Sequence, residues 1–299
     1  MRMSANRRAI LLMLGFVTLW ALIEVMAAQV LRNYSPYQVV WTRYAVHLGL
    51  MLLIWGWREP ASLWRTRRPV FQLSRSLLML GMPASWIIGM QMGVPADVVM
   101  LVFWVSPLLI MGLAWLFLRD RAPPLIWLVT LMAGAGSLLV HDFAALPTPG
   151  QIVYPLAMAL CFSLYVVMTR SLLVETTRTN LFYTALGVFL LLTPAMPGLW
   201  TTPSLPDLMT MVAVGLFGYV ALYLLDRMAA AAPVSISAPF AFFQVVMTAG
   251  LFFALGVGHD MSTRRLALGL ILIVGALLYV WIREPHIVAR DALAAKPMP

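Results

Sequence analysis

Three ionisable side chains lie inside apolar stretches, where burying them costs energy unless something neutralises, solvates or uses them. Glu24 falls in LWALIEVMAAQVL, residues 19 to 31; Arg43 falls in VVWTRYAV, and His47 follows it by four residues, on the same face of a helix. Glu24 is about seven residues before the end of its apolar run, and Arg43 about seven after the start of the next. At ~1.5 Å per residue both sit roughly 10 Å below one surface, on neighbouring helices. Two chemistries follow. Glu24 and Arg43 form a structural ion pair that fixes one helix against the other, or they face water and meet the ammonium and carboxylate of a zwitterionic solute. Arg43 alone can also snorkel or bind backbone carbonyls. His47 reads either as a satisfied hydrogen-bonding residue or as a proton relay, and Arg75, near the end of its run, is expected to snorkel toward phosphates.

Aromatic and sulfur side chains recur at helical spacing around these groups. Trp20 precedes Glu24 by four, Phe162 precedes Tyr165 by three, and Pro83, Trp86 and Met90 form an i, i+3, i+7 stripe. Phe103 pairs with Ser106, Tyr219 with Tyr223, and Ser237 with Phe240 and Gln244. Polar members on such faces point inward, because lipid-facing polar groups are costly; ordinary helix packing would give the same stripes. As one lining, Trp20, Glu24, Arg43, His47, Trp86, Met90, Phe103, Ser106, Phe162, Tyr165, Tyr219, Tyr223, Phe240 and Gln244 suit neutral or zwitterionic amphipathic molecules. No catalytic residue, metal ligand set or cofactor site is expected, and the lone Cys161 reads as a small packing residue.

The elements that must position these groups are membrane helices. Of 299 residues 62% are hydrophobic and 10% charged, against roughly 25% charged in soluble domains. Ten segments are long enough to cross ~30 Å of hydrocarbon: 9–31, 36–56, 70–91, 96–118, 124–141, 150–169, 180–199, 207–227, 233–256 and 265–282. The charged-then-apolar N-terminus is read as an uncleaved first helix. The net charge of +9 does not form the aromatic-interleaved patch of a nucleic-acid binder. Fifteen Lys and Arg fall in connections on one side and only Arg32, Arg264 and Arg265 on the other, which predicts both termini in the cytoplasm of a multi-pass inner-membrane protein.

The two halves resemble each other. A shift of 142 lays WALIEVM (20–26) over FSLYVVM (162–168), with Val166 opposite Glu24; shifts of 138 and 139 lay Pro95 over Pro233 and Gly136 over Gly275. The unit is about five helices, and an odd number forces the copies into opposite orientations. The expected fold is all-α, ten transmembrane helices as two inverted five-helix repeats around a central cavity: 1–145, then 146–284, then a cytoplasmic tail at 285–299.

On these residues the chain resembles the drug/metabolite transporter superfamily, EamA-type ten-helix branch. Trp20-Ala21, Arg43, the run SPLLIMGLAWLFLRDR (106–121) and GLILIVGALL (269–278) carry the likeness. It departs where the family has Gly-Glu ending the fourth and ninth helices: Arg119-Asp120 and Gly256-Val257 stand there. Within the branch it looks most like bacterial amino-acid exporters, including the YddG-like aromatic group. The resemblance implies a cavity enclosed by helices 1 to 4 and 6 to 9, helices 5 and 10 bracing it from outside, and alternating access. It implies export of amino acids or related metabolites; the family often has the Arg without this Glu, and the first-helix Glu of the small multidrug transporters in the wider superfamily suggests a second role for Glu24, coupling export to protons. An alternative is an exporter of other small amphipathic solutes. A phosphorylated-solute carrier would need several intramembrane cations, and an intramembrane enzyme would need a catalytic cluster such as HExxH or Gly-x-Ser-x-Gly, which the sequence lacks. Interior Pro83, Pro107 and Pro239 predict kinks. The partners expected are a small-molecule substrate, the bilayer and protons.

Overall fold

A computed structural model describes residues 3–141, 148–256 and 263–294. Among them every regular element is helical. In chain order the long segments are α1 (Ala5–Val30), α2 (Pro36–Gly56), α3 (Pro69–Gln91), α4 (Ala96–Leu118), α5 (Pro124–Val140), α6 (Pro149–Arg170), α7 (Thr177–Leu199), α8 (Leu205–Ala231), α9 (Val234–Ala254) and α10 (Thr263–Ala294). Eight are long and apolar enough to cross a membrane; α3 and the shorter α5 are not among those eight. Large apolar side chains such as Trp115, Leu116, Phe117, Phe253 and Ile282 stay exposed on the bundle, as a lipid-facing exterior requires. The protein is a multi-pass membrane protein.

Local chemistry sets the helix ends. Pro36, Pro69, Pro124 and Pro149 open helices, where a missing N–H costs nothing. The Ser4 and Ser204 hydroxyls accept from the backbone N–H of Arg7 and Asp207, and Thr148 with Gln151 makes a capping box. α4 is interrupted between Phe103 and Ser106, just before Pro107, and α9 tightens to a 3₁₀ turn over Ala238–Phe242 around Pro239. Pro83 lies inside an unbroken helix, as does Pro155, which the sequence reading did not single out. α10 continues helically to Ala294, past the expected start of a tail, whereas the expected 145/146 boundary and Lys296 lie outside the described residues.

The departure at Arg119-Asp120 has a structural account. Arg119 adopts the left-handed conformation (φ 55°) just past α4, the place a glycine fills most easily, and Gly256 (φ 66°) does the same just past α9. Asp120 then reaches the start of α9, where Oδ1 accepts from the Ser235 hydroxyl at 2.6 Å and Oδ2 from its N–H at 3.2 Å. This acid ties the two halves together as a helix cap.

α1 packs on α8 and α9, and α6 packs on α3 and α4; α2 lies against α7 and α8, and α3 against α7. α5 and α10 pack chiefly on each other. They cross where a Cβ on Gly136 would lie 2.8 Å from the Gly269 carbonyl oxygen, and one on Gly269 2.7 Å from that of Gly136. Gly275, the sequence partner of Gly136 under the repeat, faces open space. Cys161 is a free thiol whose sulfur packs against Gly81.

Candidate functional site

The expected ion pair is absent. Glu24 faces α9, where its Oε1 accepts a hydrogen bond from Nε2 of Gln244 at 2.8 Å. Arg43 turns toward α8, where Gly218 leaves room: a Cβ there would stand 2.5 Å from Nε. Its guanidinium carbon lies 4.7 Å from the centre of the Trp20 ring and 5.5 Å from that of Tyr44. Trp20, one helical turn from Glu24, takes the place the carboxylate was expected to occupy. Nε and Nη2 of Arg43 are buried with no hydrogen-bond partner.

Around this pair the predicted aromatic residues converge. Phe16 bridges Trp20 (5.5 Å) and Phe162 (6.1 Å), and Phe103 lies 5.7 Å from Phe162. Phe240 and Gln244 are buried on α9, and the Ser106 hydroxyl is buried at the break in α4 with no partner. His47 meets the edge of Tyr219 at 5.0 Å, and its Nε2 is likewise buried and unbonded. Arg43, His47 and Ser106 thus each keep a buried polar atom without a partner. Trp86 is half-buried, and Met90 on the same stripe is exposed on α3.

Arg75 does not snorkel. It is fully buried, 4.9 Å over the Tyr165 ring. It donates to Thr169 Oγ1 (2.9 Å), Gln72 Oε1 (3.1 Å), Thr184 Oγ1 (3.0 Å) and the Asn180 carbonyl. Gln72 Nε2 donates to Asn180 Oδ1 at 2.7 Å, and Asn180 Nδ2 donates to Asp226 Oδ1 at 2.8 Å. Tyr165 is therefore part of a polar hub joining α3, α6, α7 and α8. Polar partners on two other helices, α6 and α7, outbid the lipid headgroups, because each satisfied donor of a buried guanidinium avoids a desolvation cost of about 1–3 kcal/mol.

This hub borders a cavity of about 490 Å³ at the end of the bundle that carries most of the basic connections. Trp55, Thr169, Glu175, Arg178, Asn180, Tyr219, Tyr223 and Asp226 are in its wall. Of the fourteen predicted residues only Tyr219 and Tyr223 line it. The reading of the sequence missed Asn180 and Asp226. The signal available was spacing, since Asp226 follows Tyr223 by three and Tyr219 by seven. Among the described residues no group of three or more His, Cys, Asp or Glu could hold a metal ion.

Comparison with known proteins gives this geometry a context. Residues 7–141 match the EamA-like transporter family. The chain is 25% identical over 218 residues to an S-adenosylmethionine uptake transporter of Rickettsia bellii (strain RML369-C), covering 72% of this chain and 74% of the relative. It is 23% identical over 269 residues to an S-adenosylmethionine uptake transporter of Rickettsia felis (strain ATCC VR-1525 / URRWXCal2), covering 89% and 90%. A solved crystal structure superposes with a TM-score of 0.78 at 18% identity over 95% of this chain and 98% of its own, a likeness of fold alone. The family matched and the relatives named are transporters.

Proposed function

We propose that the chain is a secondary carrier of zwitterionic amino acids and amino-acid-derived metabolites, working by alternating access between two inverted five-helix repeats. The helix contacts support the repeats. Exchanging α1 with α6, α2 with α7, α3 with α8, α4 with α9 and α5 with α10 turns α1 on α8 into α6 on α3, α1 on α9 into α6 on α4, and returns α5 on α10 to itself. The excess of basic residues in the connections on one side supports a cytoplasmic location, in an inner membrane, for both termini and for the 490 Å³ cavity.

One observation carries the substrate class: Nε and Nη2 of Arg43 are buried and unbonded, with the guanidinium 4.7 Å over the Trp20 ring, which itself lies one helical turn from the Glu24 carboxylate. A substrate carboxylate pairs with the guanidinium and an ammonium with Glu24, with Trp20, Phe103 and Phe162 taking the apolar part. Unfilled charged donors in a dry site cost more than neutral ones, so a ligand that completes them gains that difference.

S-adenosylmethionine, named for the relatives, carries the same ammonium and carboxylate and is the first metabolite to test; aromatic amino acids are the second class. Export is the direction expected for amino acids, and uptake is the relatives' stated direction. A carrier without its own energy source runs either way with the gradients. Counterflow in liposomes with labelled S-adenosylmethionine and labelled aromatic, aliphatic and charged amino acids, with and without a pH gradient, tests the reading. Exchange of none of them sinks it.

A further inference from the structure

Along α8, Tyr219, Tyr223 and Asp226 share one face and line the cavity at the basic end. Asp226 is 5% exposed. Its Oδ1 accepts from Asn180, and no donor among the described residues bonds Oδ2. The nearby cations do not fill that vacancy. Arg178 pairs with Glu59 at 2.8 Å and lies over Trp55. Arg75 is directed to neutral acceptors. Arg227, the next residue, also lines the cavity but forms no ion pair with Asp226 among the described residues. The cavity's other carboxylate, Glu175, is engaged through Oε1 by Thr66 and the Arg67 N–H. A carboxylate that is almost wholly buried with one oxygen unfilled, in an aromatic-walled cavity, is set to receive a cation.

We propose that Asp226, with Tyr219 and Tyr223, is a subsite for an organic cation of the ammonium or sulfonium type at the mouth of the bundle. It lies next to the Arg43 region, since Tyr219 meets His47 at 5.0 Å, but Arg43 and Glu24 themselves do not line the cavity. This rests on the carrier reading only in that a solute passing the mouth would meet Asp226 first. The carboxylate concentrates solutes bearing a positive group and disfavours anionic ones.

The test is equilibrium binding to the purified full chain in nanodiscs with two probes of one shape, tyramine (a single ammonium) and tyrosol (its neutral alcohol). Wild type should prefer tyramine by about tenfold, the scale of one ionic contact. Asp226→Asn keeps an oxygen for Asn180, so it should bring the two affinities to within about twofold of each other, with tyrosol binding within about twofold of wild type. Asp226→Glu should retain part of the preference. If Asp226→Asn melts early, Tyr223→Leu serves instead, with the preference cut by about threefold. The subsite is overturned by equal or absent binding of the two probes to wild type, by an intact preference in a stable Asp226→Asn protein, or by equal loss of both probes there. Selective tyramine binding through Asp226 in a protein that exchanges no amino acid or S-adenosylmethionine in liposomes would leave the subsite standing and overturn the carrier reading.

Discussion

Arg43 stacks its guanidinium on Trp20, 4.7 Å from the ring centre, and leaves the Glu24 carboxylate to Gln244. A cation held by π faces with two buried nitrogens unbonded is a poor device for stability and a good one for recognising an anion. Arg43→Met should therefore abolish exchange of zwitterionic solutes while holding or raising the thermal unfolding midpoint. Arg43→Lys should fail to rescue transport, since a compact ammonium neither stacks flat nor binds a carboxylate with two parallel bonds. A clear drop in the midpoint of the Met variant would assign Arg43 to structure.

Glu24→Gln preserves an oxygen for the Gln244 amide and removes only the charge. The variant should fold normally and lose about tenfold or more in exchange of zwitterions, the effect of one charged contact. Full exchange with an unchanged response to a pH gradient would reduce Glu24 to a helix–helix hydrogen bond.

Arg75 joins α3 to α6 and α7 through three acceptors, with a fourth, Gln72, on its own helix. Arg75→Ala strands several buried polar groups at about 1–3 kcal/mol each, so a loss of about 3 kcal/mol or more is expected in denaturant unfolding. A variant of wild-type stability would contradict the hub.

The Gly136–Gly269 crossing brings the backbones of α5 and α10 together with no space for side chains. Gly136→Leu and Gly269→Leu should each lower stability by about 1–3 kcal/mol, whereas Gly275→Leu, facing open space, should be close to neutral. Thermal melts of the three proteins in one detergent check the ranking.

Asp120 caps α9 through two hydrogen bonds to Ser235. Asp120→Ala should cost about 1 kcal/mol, with Asp120→Asn costing less, because an amide oxygen still accepts. Equal melting of all three proteins would show that the cap contributes nothing.

Much of the fold was legible because membrane helices announce themselves by length and apolarity: the expected 36–56 and 96–118 coincide with Pro36–Gly56 and Ala96–Leu118. Of the site, Trp20, Phe103 and Phe162 were found from their spacing and do meet through Phe16. Asp226 was passed over because it stands beside Arg227 at a helix end, where an acid reads as solvated. Arg75 was misread for the same reason, since its depth depends on Thr169, Asn180 and Thr184, far away in sequence.

By itself the sequence determined that the chain is helical and crosses a membrane, through hydropathy, proline placement and the distribution of basic residues, all of which act locally along the chain. The tertiary structure alone decided which partner each buried charge takes: Glu24 with Gln244, Arg43 with Trp20, Arg75 with the α6 and α7 hydroxyls, Asp226 with Asn180. The reason is geometric. A helix sets the direction of a side chain to within a fraction of a turn, but its partner depends on which helix is packed opposite and on where a glycine such as Gly218 leaves room for it.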